Sequence, residues 1–400
     1  MIILEILLNK RDIFREKYLV WGNYIYILSL YIYIAINYIR GTMLAVSGQT
    51  IFHVTLLAST LCLIKILIFN NFDRYKYLFM IIFLLFLFSL GRQSLDYDMY
   101  YYTIFIFGAE GIEFRKILKT FILAVSSVMT VTILSSIFNL IPNIEVGRSA
   151  SPVLRYSLGA LYPTDFAARV FCLILAYIAL KKFILSLPEY IGIIAIIFTI
   201  NLVTDTRLDT ILMILILVCC ILKKYLEKLI AYLGSKKINL LILLFIFINI
   251  ILPYIYTPNN VILRKLDNLL STRLYFGNLA FKNYNVDLLG QYIYQVGNGG
   301  IHHSPITNYF FIDVSYVRIL MMQGLVAFIY TLFLICKNSS NFIENKLYFY
   351  EFMLLMVVLS AAIDHHFWEI SFNFTLLSTF SKLTCGERNL DYEGINNSRN

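Results

Sequence analysis

Residues 238–254 read INLLILLFIFINIILPY, a run with no charged residue and two asparagines as its only strongly polar side chains. Such a run cannot face water over its length, and it approaches the roughly 20 residues that cross a bilayer as helix. Residues 77–90, YLFMIIFLLFLFSL, behave in the same way. The whole chain follows suit: 60% of its 400 residues are hydrophobic and 14% are charged, against roughly 25% charged in a soluble domain. A soluble chain of this length would show polar helix faces at a 3.6-residue period, which these runs lack. The class is therefore all-α, a polytopic integral membrane protein.

Apolar runs predict about twelve transmembrane helices, over 18–39, 50–69, 76–91, 97–110, 119–141, 164–180, 186–203, 207–222, 238–255, 314–336, 348–364 and 367–381. The fourth and twelfth are short for a full crossing. One transmembrane domain is expected over 1–400, with a large extracytoplasmic loop at 256–313 and a flexible cytoplasmic tail at 382–400. A helix is predicted inside that loop, roughly over Val261–Asn283, because its leucines approximate one apolar face. In the N-terminal stretch the apolar residues precede the charges, the wrong order for a cleavable signal peptide. It is expected to lie along the inner membrane surface.

The net charge of +9 raises nucleic acid as a partner, but the basic residues are spread over short loops rather than gathered on one face. Positive-inside topology and anionic lipid account for them. Of the 33 lysines and arginines, 21 fall in one set of alternating connections and nine in the other, while Lys65, Arg169 and Arg318 lie within spans. This asymmetry predicts a multi-pass protein of the cytoplasmic membrane with both termini cytoplasmic. The six cysteines show neither metal spacing nor a disulfide pattern and read as small hydrophobes.

A second asymmetry carries more about function. Seven of the nine outer basic residues are arginines, whereas lysine dominates the inner set. Outer arginines oppose the positive-inside preference, and arginine grips phosphate bidentately while staying charged. An anionic, lipid-linked substrate on the outer side is the expectation. Arg148 and Arg155 flank a glycine- and proline-rich loop and could clamp a pyrophosphate. Arg207, in Thr204-Asp205-Thr206-Arg207, is expected to point into a cavity with Asp205 orienting it. Arg273 joins them from the large loop.

Candidates for proton transfer are His302 and His303 in a glycine-rich stretch, Asp313 with Tyr316 at the start of a span, and Asp364-His365-His366 in the last outer turn. Each also fits a solvated loop without a role. Asp165 and Arg169, four apart, could form a helical ion pair. No metal or cofactor is expected.

Read in order, the motifs have a familiar arrangement. Arg155…Ser157-Leu158-Gly159…Tyr162-Pro163 is followed by Thr206-Arg207. Then come Leu266-Asp267…Leu270-Ser271…Arg273-Leu274…Leu288-Leu289-Gly290-Gln291, Asp313…Ser315-Tyr316 and a late Asn373. In this the chain resembles the Wzy-type polysaccharide polymerases of capsule and exopolysaccharide clusters in Gram-positive bacteria, a group related to O-antigen polymerases and ligases. It departs from their pattern at Tyr162, where histidine is usual, and at Thr164-Asp165, where asparagine-threonine is common.

The resemblance implies a metal-independent membrane glycosyltransferase that joins undecaprenyl-pyrophosphate-linked oligosaccharide repeat units on the outer face. It implies Arg155, Arg207 and Arg273 at the pyrophosphate, and a flippase and a chain-length regulator of the same pathway as partners. Two other readings stay open. One is an O-antigen-ligase-like glycan transferase. The other is a flippase or transporter of lipid-linked oligosaccharide, against which the long outer loop and the lack of internal repeats weigh.

Overall fold

A computed structural model describes residues 2–148, 151–301 and 307–383. The chain is mostly helical. The first five helices are α1 (Ile2–Arg40), α2 (Gly48–Phe69), α3 (Arg74–Ser94), α4 (Asp98–Gly108) and α5 (Phe114–Ile137). A short hairpin of β1 (Glu145–Arg148) and β2 (Ser151–Tyr156) precedes α6 (Pro163–Leu180), α7 (Leu187–Thr204), α8 (Arg207–Ile221) and α9 (Lys223–Ile255). Then come α10 (Val261–Leu269), α11 (Arg273–Asn283), α12 (Ser315–Arg318), α13 (Gly324–Glu344) and α14 (Tyr348–Ser360).

Among the described residues, eight helical stretches are long and apolar enough to cross a membrane, against the twelve expected. They are 11–40, α2, α3, α5, α6, α7, α9 and the continuous 315–344. Many large apolar side chains on them face outward, Phe79, Leu85, Phe198 and Ile248 among them. Lipid tails are the medium that tolerates such a surface.

The connections gather at two ends. One end holds Arg15 bonded to Asn71, and the amide of Phe114 bonded to the carbonyl of Lys382. Lys223 there donates to the carbonyl of Lys182. The other end holds Arg40, the β-hairpin, the α7–α8 turn, the loop after α9 and the turn after α14. We call them the lysine end and the arginine end.

Three departures from the expected elements have physical causes. The first concerns 367–381, which is no α-helix. It runs as turns and one 3-10 helix over Thr375–Thr379, and it leads from the arginine end to Lys382. Irregular backbone at membrane depth survives only where protein satisfies its polar groups, and here local side chains do so. Asn373 donates to the carbonyl of Phe367 at 2.8 Å and accepts from the amide and hydroxyl of Thr375. Asn37 accepts from the amide of Ser371, and Tyr102 donates to the carbonyl of Asn373.

The second is the large loop, where one predicted helix is two. Ser271 and Thr272 adopt left-handed backbone (φ 55° and 65°) and break it. The buried Asp267 then caps α11, accepting from the amides of Leu274 and Tyr275 at 2.9 and 3.1 Å.

The third is a π-helix over Ile319–Gln323, between α12 and α13. It frees carbonyls that the loop supplies with donors. Gln291 bonds the carbonyl of Met322 through its amide at 2.8 Å and that of Met321 through its side chain at 3.2 Å. The carbonyls of Asp287 and Leu288 accept in turn from Leu325 and Val326. Two glycines permit this approach, Gly290 and Gly324, both at φ +90°. A Cβ on Gly290 would lie 2.6 Å from the carbonyl oxygen of Met322, and one on Gly324 would run into the amide of Gly290.

Candidate functional site

At the arginine end, a cavity of about 550 Å³ opens between α1, the first turns of α2, residues 94–101, the loop at 292–295, the π-helix and residues 365–369. Its polar lining includes Arg40, Asp98, Arg318, Gln323, His365 and Glu369. These come from segments far apart in sequence, placed together by helix packing.

A chain of alternating charge runs through this end. Arg40, the last residue of α1, forks onto Asp98 at the start of α4 with contacts of 2.7 and 2.6 Å. Its Nη2 also lies 3.4 Å from Oε2 of Glu369. The other oxygen of Glu369 meets Nδ1 of His366 at 2.8 Å. Nε2 of His366 faces Asp165 of α6 at 3.6 Å, and its ring stacks on Phe372 at 3.6 Å.

The adjacent histidines are driven opposite ways. Burial alone would lower His366, but Glu369 and then Asp165 outweigh it and hold its pKa up to about 10. His365 is pushed well below its ordinary value by burial first, then by the cation of His366 and by Arg318. One imidazole is thus charged and locked in a pair while its neighbour is neutral and lines the cavity. Titratable neighbours driven apart in this way separate an acid from a base. Burial also raises Asp364 to about 6, against the pull of His366 and Arg273, and it raises Asp313.

The expected arginines are elsewhere: Arg155, Arg207 and Arg273 do not line this cavity. Buried Arg155 donates from Nε to the carbonyl of Thr204 at 2.7 Å and lies over Tyr162, tying β2 to the end of α7. Arg273 donates to the carbonyls of Ile363 and Leu270 at 2.7 and 3.0 Å, pinning the large loop to the turn after α14. Arg207 is exposed at the first turn of α8, so the expectation that it points into a cavity fails; no hydrogen bond or ion pair reaches it among the described residues. No ion pair joins it to Asp205 among those residues, so Asp205 does not orient it as expected. Arg148 ends β1.

Of the proton-transfer candidates among the described residues, His365 alone lines the cavity. Asp313 is half-buried close by. Tyr316 is a buried staple, donating to the carbonyl of Val358 at 2.6 Å. Asp364 is buried with Oδ2 unpartnered among the described residues, while its carbonyl accepts from the amide and hydroxyl of Ser315. His302 and His303 lie outside the described residues.

Asp165 and Arg169 do not pair. Arg169 turns instead to the carbonyls of Gly41 and Tyr38, at 3.1 and 3.5 Å, between the rings of Tyr38 and Phe372. A guanidinium there meets the negative end of the α1 dipole.

Comparison with protein-family models, with curated proteins and with solved structures finds no match. The site therefore has to speak through its own chemistry.

One trio could hold a metal ion. A nitrogen each of His365 and His366 and an oxygen of Glu369 lie within 4.8 Å of one another. Against that use, Nδ1 of His366 is already bonded to Glu369, and Arg40 adds positive charge beside the carboxylate.

Sequence reasoning passed over Arg40, Asp98 and Glu369. Glu369 had a usable signal, being an acid inside a stretch read as a span and three residues after His366. An ionisable group at membrane depth is a functional candidate by default.

Proposed function

We propose that the protein polymerises polyprenyl-pyrophosphate-linked oligosaccharide units, acting as a membrane glycosyltransferase at the outer face of the cytoplasmic membrane. The observation that carries this is the placing of His365, neutral and cavity-lining, beside a fixed charge chain at the end of the bundle rich in arginine. The ordered motifs from Arg155 to Asn373 point the same way.

The chemistry has two needs. A sugar hydroxyl must lose its proton as its oxygen bonds to the anomeric carbon of the donor. The bond from that carbon to the pyrophosphate oxygen breaks, and its electron pair leaves with the lipid pyrophosphate. His365 takes the proton, its imidazole being neutral and on the cavity wall. Positioned guanidiniums stabilise the charge growing on the leaving group. Arg207, outside that cavity and with no carboxylate paired to it among the described residues, suits this. Arg155 and Arg273, spent on carbonyls, hold the surrounding loops in place.

The test is deletion of the gene followed by analysis of lipid-linked material. Loss of a polymerase leaves single repeat units on the outer face. Units trapped inside would mark a flippase instead, and full-length lipid-linked polymer would mark a ligase.

A further inference from the structure

We infer that the 550 Å³ cavity is a saccharide subsite that takes the sugar end of the acceptor and leaves lipid pyrophosphate outside. This deepens the polymerase reading and rests on it for the word acceptor.

The first observation is charge. Three carboxylates, Asp96, Asp98 and Glu369, line the cavity against two guanidiniums, Arg40 and Arg318, with His365 neutral. Arg40 is itself held by Asp98 and Glu369. A lining with more carboxylate than cation repels a pyrophosphate and offers hydroxyl groups acceptors. The second is shape and surface. The volume falls within the roughly 300–1,000 Å³ of small-molecule sites. The lining also includes the aromatic side chains Tyr33, Tyr97, Tyr101, Tyr292 and Trp368, the kind of surface against which a sugar's C–H groups pack.

The third observation is an unmet polar group. Gln323 is 6% exposed and lines the cavity, and its Oε1 has no partner among the described residues. It ends the π-helix, a type of helix defect frequent at functional sites. The loop staple through Gly290 and Gln291 keeps it there. A buried amide oxygen left unbonded is costly unless a ligand completes it, and a sugar hydroxyl is a donor of the right kind. Pyrophosphate, with acceptor oxygens only, is not.

Trp368 provides the probe. The chain has two tryptophans, and Trp21 is 64% exposed on α1, away from the cavity. In Trp21→Phe only Trp368 reports. The purified protein in detergent is titrated with saccharide released by mild acid from the host cell's polyprenyl-pyrophosphate pool, and separately with inorganic pyrophosphate.

The saccharide is expected to change Trp368 emission saturably, with no effect of pyrophosphate and no competition by it. Gln323→Leu should weaken the saccharide about tenfold, as loss of one hydrogen bond of about 1.4 kcal/mol would. Should that variant fold poorly, Asp96→Asn on the cavity rim is the second, and it too should bind more weakly. Absence of any saccharide effect, or competition by pyrophosphate, overturns the inference, as does unchanged affinity in the variants that fold. The deletion experiment separates the two ideas. Polymer lost on deletion with no saccharide at Trp368 sinks the subsite alone, while saccharide bound there with polymer intact sinks the polymerase reading alone.

Discussion

Arg40 and Arg273 sit at the same end of the bundle and do different work. Arg40 meets two carboxylates from two distant segments, Asp98 and Glu369, on the wall of a cavity. Arg273 meets two backbone carbonyls, Ile363 and Leu270, and holds a loop to a turn. The first arrangement leaves charge in a place a ligand can reach, and the second spends it on architecture. Position at the arginine end therefore says little about an arginine's role, which its partners decide.

The loop staple and the site are separable in kind, and the largest expected effect falls on the staple. Gly324→Val places a Cβ against the amide of Gly290 at φ +90°. A clash with the backbone of residues 288–290 should cost more than about 3 kcal/mol and abolish most folded protein. A normal yield of monodisperse protein would break the account of the π-helix.

On the site side, His365→Gln should reduce polymer formation in membranes at least ~100-fold, the usual scale of a lost general base. Its thermal unfolding should stay within about 1 kcal/mol of the parent, since glutamine keeps a polar side chain of similar reach beside Phe311 and His366. A matching loss of stability would make His365 architecture too.

Double mutants sharpen the contrast between the two arginines. Arg40→Gln strands Asp98 and leaves Glu369 to His366 alone, at a cost of about 1–3 kcal/mol for a pair that is only partly buried. Adding Asp98→Asn should recover at least half of it. Arg273→Gln should cost about 1–2 kcal/mol through lost bonds to carbonyls, and no carboxylate substitution should rescue it. Rescue of Arg273→Gln by Asp364→Asn would erase the distinction.

A pH effect comes next in size. His366 is raised from 6.5 to about 10 in the folded protein. Its stabilisation is then complete below pH 6.5 and lost as pH rises through about 10. Unfolding temperature in detergent should fall across that window, and His366→Gln should flatten the fall. The raised Asp364 acts with the same sign, between its ordinary 3.8 and about 6.

The smallest stability effect belongs to Arg207→Lys, within about 0.5 kcal/mol for an exposed side chain. If Arg207 holds pyrophosphate, polymer length should nonetheless drop, since lysine lacks the fork. Full-length polymer at normal protein level would remove it from the site.

Several of these features were legible in the residues. Apolar length marked α2, α3, α7 and α9 as spans. Asp364-His365-His366 stood out as a turn with chemistry. Glu369 was hidden because the stretch around it is apolar enough to pass for a helix, yet it packs as a buried irregular strand of chain. The motif residues Asp267, Gly290, Gln291, Tyr316 and Asn373 were visible as a pattern, but their work is structural, as cap, close contact or staple. Arg169 was read with Asp165 because four residues separate them on a helix, and α1 brought nearer carbonyls.

By itself the sequence determined that the chain spans a membrane as helices, because apolar length and charge spacing are local properties that every segment carries with it. Only the tertiary structure decided which cations form a site, because a guanidinium's partner is a long-range fact. Arg40 finds Asp98 fifty-eight residues away and Glu369 near the end of the chain only when α1, α4 and the turn after α14 are packed side by side.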